Sequence, residues 1–65
     1  MTKNWKRKPI PLYMLNTLNA YQATGRVVTV FPYAGKMSLN GFPPVPYKEA
    51  HRTMSALLKF LGVQP

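Results

Sequence analysis

The sequence predicts a small single α+β domain that contains a helix, a β-hairpin and a second helix, in that order, behind a basic N-terminal arm. Two observations predict this fold class. Apolar residues recur at helical spacing near both ends of the domain, and a valine-rich stretch of alternating polarity lies between them. The chain of 65 residues has the length of one domain. We therefore divide it into a basic arm, residues 1–8, which we expect to be flexible, and the small α+β domain, residues 9–65.

The first helix is predicted to follow Pro11 and to end before Gly25. Proline suits the first position of a helix, and glycine readily adopts the left-handed conformation that ends many helices. Leu12 is expected at the rim of the core. The residues that follow at helical spacing are Met14, Leu15, Leu18 and Tyr21. The opposite side of this helix is polar and uncharged, so it could face solvent, another subunit or nucleic acid.

A β-hairpin is predicted to follow. The stretch "RVVTVF" is β-branched and aromatic, which favours a strand, and "PYAGK" supplies turn residues. In "KMSLNGF", Met37 and Leu39 alternate with polar residues and are expected to point inward. The hairpin therefore pairs roughly 26–31 with 37–42. We expect the run "PPVP" to end it, because proline cannot continue a hydrogen-bonded ladder.

The second helix is predicted over residues 47–61, between Pro46 at its start and Gly62 at its end. One apolar stripe runs along it and consists of Ala50, Met54, Leu57, Leu58 and Leu61. A second stripe carries cations at the same spacing and consists of Lys48, Arg52, Ser55 and Lys59. We expect His51 to lie on the surface and to extend this basic row at acidic pH.

The net charge is the strongest functional signal. Nine lysines and arginines stand against one acidic residue, which gives a formal net charge of +8. Strongly basic domains most often meet nucleic acid. We therefore predict DNA binding, with RNA and single-stranded DNA left open, through the arm, the base of the hairpin and the basic row of the second helix. The candidate residues are Lys3, Lys6, Arg7, Lys8, Arg26, Lys48, Arg52, Ser55 and Lys59.

Protein binding is the alternative. A small basic domain can dock in the acidic cleft of a nucleic-acid-processing enzyme and inhibit or redirect it. Aromatic residues dominate interface hot spots, and the candidates are Trp5, Tyr33, Phe42 and Tyr47. Tyr33 and Phe42 could equally stack on bases.

A membrane is not an expected partner, because the core needs the apolar face of the second helix. A small core leaves a homodimer open.

Catalysis is not expected from this set of side chains. Glu49 is the only acidic residue and His51 the only histidine, whereas acid–base catalysis generally pairs two groups with different pKa values. A zinc site needs about four ligands, so we expect neither a metal nor a cofactor.

The chain contains no cysteine and no visible secretion signal, which favours the cytoplasm.

The run "LNAYQATGRVVTVFPYAGK", residues 18–36, combines a helix end, a glycine, a basic residue, a valine-rich strand and a turn with proline and glycine. In this arrangement it resembles small basic accessory proteins encoded by tailed bacteriophages. The resemblance implies a non-enzymatic protein that binds host machinery or nucleic acid in the cytoplasm of a bacterial cell. It assigns no functional residue.

Overall fold

The second helix, α2, is the longest element of the domain. In the computed structural model, which describes residues 7–64, α2 spans Tyr47–Leu61, as the sequence predicts. Pro46 precedes it in an extended conformation, and Gly62 follows it in the left-handed conformation at φ 76°. The N–H groups of Gly62 and Val63 bond back to carbonyls of the last turn. These bonds form the glycine C-cap that the sequence signals.

The first helix, α1, is shorter than its prediction because the chain enters it through a 3-10 turn at Leu12–Met14. The α-helix itself spans Leu15–Ala23 and ends before Gly25. Leu12 is 83% exposed, so its expected place at the rim of the core is wrong. Leu15 is also exposed, because it lies about 100° around the helix from the buried face. The buried residues of that face are Met14, Thr17, Leu18 and Tyr21.

Three antiparallel strands form the sheet in the order β1-β2-β3, where two strands were predicted. Strand β1 spans Val28–Phe31 and pairs with β2, Lys36–Leu39, so that the hairpin is shorter than expected. Strand β3, Val45–Pro46, pairs with the start of β2 and comes from the "PPVP" run. The expectation that this run only ends the hairpin is therefore wrong. Pro46 fits because β3 is an edge strand, where a missing N–H leaves no neighbour unpaired.

Both helices pack on one face of the sheet. The inward positions of β2 are Met37 and Leu39, as the alternation predicts. They meet a core whose other buried members are Met14, Leu18 and Tyr21 from the first helix and Ala50, Met54 and Leu58 from α2. The α+β class, with its helix–hairpin–helix order, is therefore confirmed. The domain has one helical layer on a small sheet, and the described residues on the other face of this sheet include the exposed Thr29, Phe31 and Lys36.

Candidate nucleic-acid interface

Three separate segments are bonded together at the end of the sheet where β1 turns into β2. The N–H of Lys8 donates to the carbonyl of Pro32 over 2.8 Å. The N–H of Tyr47, the first residue of α2, donates to the carbonyl of Gly35 over 3.2 Å. The hydroxyl of Tyr47 also donates to the carbonyl of Lys8. The N-terminal segment, the turn and the start of α2 therefore form one bonded unit, which we call the turn end.

Three lysines originate from this unit, and we call Lys8, Lys36 and Lys48 the turn-end cluster. All three are exposed. The side chain of Lys8 lies over Gly35, since a Cβ added to that glycine would lie 2.9 Å from Lys8 Cδ. Lys36 follows this glycine directly and pairs with Pro46 across the sheet, two residues before Lys48. Hydrogen bonds and strand pairing thus place the backbones of three lysines that are far apart in the sequence at the same end of the domain.

The sequence prediction included Lys8 and Lys48 but missed Lys36. Lys36 lies near the start of α2 because β2 pairs with β3. The prolines of the "PPVP" run argued against a strand there, so this pairing was not predicted. One residue in the sequence could have indicated this strand: Val45 is β-branched, which favours a strand, and it stands between two prolines just before the helix. Arg7, also predicted, is exposed beside Lys8. Lys3, Trp5 and Lys6 lie outside the described residues.

The basic row on α2 extends away from the turn end. Lys48, Arg52 and Lys59 are exposed, whereas Ser55 is half-buried. Helical rise places Lys59 about 16 Å along the axis from Lys48. Arg52 lines the same shallow depression as Glu49, the one acidic side chain of the protein.

His51 does not simply extend the basic row as a surface residue. It is half-buried, and its Nε2 lies 3.3 Å from the hydroxyl oxygen of Thr17 on α1. The ring of Tyr13 meets the imidazole edge-on, with 5.1 Å between ring centroids. These contacts join the N-terminal halves of the two helices. The histidine therefore belongs to the packing of α1 against α2.

Arg26 lies away from the turn-end cluster. It precedes β1, so about 16 Å of extended chain separates it from the turn that follows Phe31. Its Nη1 donates to the hydroxyl oxygen of Thr24 over 3.0 Å. The structure therefore does not bring Arg26 together with Lys8, Lys36 and Lys48.

The predicted aromatic residues have different surroundings. Tyr33 lies in the turn and is 58% exposed. Phe42 follows β2 and is 67% exposed, while its backbone carbonyl accepts a hydrogen bond from the hydroxyl of Ser38. Tyr47 is half-buried, and its hydroxyl is used in the bond to Lys8. Tyr33 and Phe42 therefore present aromatic surface to solvent, whereas Tyr47 supports the turn end.

Residues 7–64 contain neither a metal-binding cluster nor a membrane-spanning helix. No group of three or more histidine, cysteine, aspartate or glutamate side chains in this range could hold a metal ion. No helix within the same range is long and apolar enough to cross a membrane.

The chain matches no protein family, curated protein or solved structure. The resemblance to phage-encoded accessory proteins therefore stays a hypothesis.

Proposed function

We propose that the protein binds nucleic acid, with DNA as the first candidate, through the turn-end cluster, Arg52 and the N-terminal arm. One observation carries this proposal: hydrogen bonds and strand pairing gather Lys8, Lys36 and Lys48 at one end of a domain that has a single acidic side chain. Cations concentrated at one end of a small domain repel one another, and a bound anionic polymer offsets that repulsion. The phosphate backbone is such a polymer.

Salt dependence is the signature of this mode of binding. Each phosphate contact on duplex DNA releases counterions and contributes about −0.9 to the slope of log affinity against log salt concentration. Contacts from Lys8, Lys36, Lys48 and Arg52 therefore predict a slope of about −3.6. Phosphate contacts of the arm would make the slope steeper.

Two double variants with equal charge test the location of the interface. Lys36→Gln with Lys48→Gln removes two cations of the turn end, and Arg26→Gln with Lys59→Gln removes two cations elsewhere. Polarisation of a labelled duplex, measured over a series of salt concentrations, gives both slopes. We expect the first variant to lose about 1.8 units of slope and the second to keep the wild-type value. Equal losses would show that net charge alone governs binding, and an absence of binding by the wild type would refute the function.

Binding to a host protein is the second candidate function, and exposed aromatic surface favours it. Phe42 is 67% exposed and Phe60 is 85% exposed, and aromatic residues are enriched at the centres of protein interfaces. This function would make the protein an inhibitor or modulator in the cytoplasm of a bacterial cell. A pull-down from bacterial lysate with nuclease would distinguish the two candidates. One stoichiometric protein that survives nuclease favours the second candidate, and loss of all captured material favours nucleic acid.

A further inference from the structure

A chemically different site lies at the other end of the sheet. A cavity of about 400 Å³ opens between the end of α1, the end of β2 and the middle of α2. Its size falls within the range of small-molecule sites in proteins, roughly 300–1,000 Å³. The residues that line it include Tyr21, Arg26, Leu39, Phe42, Thr53 and Leu57. None of them belongs to the turn-end cluster.

The walls of this cavity are mainly apolar. Tyr21 and Leu39 are buried core residues, so the cavity reaches the core of the domain. Leu57 is half-buried and Phe42 is largely exposed, and both side chains line the cavity. A ligand between Phe42 and Leu57 would remove apolar surface of both side chains from water. Burial of such surface is favourable in proportion to its area.

One cation is positioned among these apolar walls. The hydroxyl of Thr24 donates to the carbonyl of Tyr21, and Arg26 donates to that same hydroxyl oxygen. The guanidinium is thus oriented from the end of α1, with one of its five N–H donors engaged in this bond. Glu49, the only acidic side chain, lines a different depression together with Arg52. The charge of Arg26 therefore has no carboxylate side chain of this protein in its cavity.

We propose that the cavity binds a small amphipathic organic anion, a molecule with one aromatic or aliphatic body and one carboxylate or sulfonate head. The body lies between Phe42 and Leu57, and the head accepts hydrogen bonds from Arg26. An arginine fork matches the two oxygens of a carboxylate, which gives both orientation and affinity. This site goes beyond nucleic-acid binding, because it uses different residues and a ligand of different chemistry.

The test uses two fluorescent probes of nearly the same shape. 8-Anilinonaphthalene-1-sulfonate has the sulfonate head, and N-phenyl-1-naphthylamine lacks it. We expect saturable binding of the anionic probe to the wild type, displacement by octanoate, and weaker binding of the neutral probe. Arg26→Gln should weaken the anionic probe about tenfold, the scale of one charge-assisted hydrogen bond, and leave the neutral probe unchanged.

Two matched variants complete the test. Lys59→Gln removes the same charge outside the cavity and should leave both probes unchanged. Thr53→Trp places a large ring in the cavity from an exposed position and should block both probes. Circular dichroism and a thermal unfolding curve confirm that each variant is folded. The proposal is overturned if Lys59→Gln and Arg26→Gln weaken binding of the anionic probe equally, or if Thr53→Trp binds the probes as tightly as the wild type. It is also overturned if the wild type shows no saturable binding of the anionic probe. None of these outcomes depends on DNA binding.

Discussion

The two ends of the sheet present positive charge in different ways. At the turn end, bonds among the N-terminal segment, the turn and α2 place three exposed lysines on one bonded unit. At the cavity end, a single guanidinium is oriented by Thr24 beside apolar walls. Several exposed cations suit an extended polyanion, whose contacts add up. One positioned cation at an apolar cavity suits a small anion, because head and body are recognised separately.

This contrast shows that residue type alone does not define a binding site. Lysine and arginine are interchangeable in a count of net charge, yet their surroundings differ at the two ends, and we therefore propose different ligands for them. The guanidinium offers a planar fork for a carboxylate, whereas an ammonium is a compact and strongly hydrated charge. Substitutions that disturb both ends of the sheet, and substitutions that disturb only one end, test whether the two ends act separately.

The largest effect is expected from a change in the shared core. Met54→Ala removes a fully buried side chain of α2 and should lower the free energy of unfolding by about 2–5 kcal/mol. Phe60→Ala on the same helix changes an exposed residue and should alter it by less than about 0.5 kcal/mol. Urea denaturation measures both. Because the core supports both ends, Met54→Ala should weaken DNA binding and probe binding together. Loss at one end alone would contradict a shared core.

A smaller effect is expected from a matched pair of glycines. Gly35 at the turn end and Gly41 at the cavity end have φ values of 67° and 86°, where alanine is strained by about 1–2 kcal/mol. Gly35→Ala would also displace the Lys8 side chain, whose Cδ lies 2.9 Å from the added Cβ, whereas Gly41→Ala meets nothing within 4 Å. Thermal unfolding should therefore show similar destabilisation, while only Gly35→Ala weakens DNA binding. Equal DNA affinities for the two variants would argue against the placement of Lys8.

The sequence was most informative where signals of different kinds agreed. For α2, the proline at the start, the glycine at the end and a continuous apolar stripe all indicate the same boundaries, and Tyr47–Leu61 is confirmed. The first helix has a glycine stop but begins through a 3-10 turn at Leu12–Met14. The polar side of this helix carries no charges, so there was no charge pattern beside the apolar one to indicate where the α-helix begins. Apolar spacing and the proline were therefore not enough to predict the first residue of this helix.

The features missed by the sequence prediction depend on tertiary contacts. Strand β3 was missed because the three prolines of this run argue against a strand, although β3 contains only one of them, Pro46, at an edge position that tolerates it. Lys36 was missed for the same reason, since its proximity to α2 follows from that strand pairing. The separation of Arg26 from the other cations depends on the direction of β1. The cavity forms because Phe42 and Leu57, which are distant in the sequence, line the same space. No local sequence pattern predicts such a tertiary arrangement.

The smallest effect is expected from Tyr47→Phe, which tests whether one hydroxyl positions the turn end. The change removes the bond to the Lys8 carbonyl and keeps the ring, so the free energy of unfolding should fall by about 0.5–1.5 kcal/mol. Tyr13→Phe is the control, because Tyr13 is exposed and its described contact with His51 is made by the ring. DNA affinity should decrease for Tyr47→Phe only, and probe binding at the Arg26 cavity should be unchanged in both variants. If Tyr47→Phe binds DNA as tightly as Tyr13→Phe does, Lys8 reaches the phosphates without this bond, and the lysines act as independent charges.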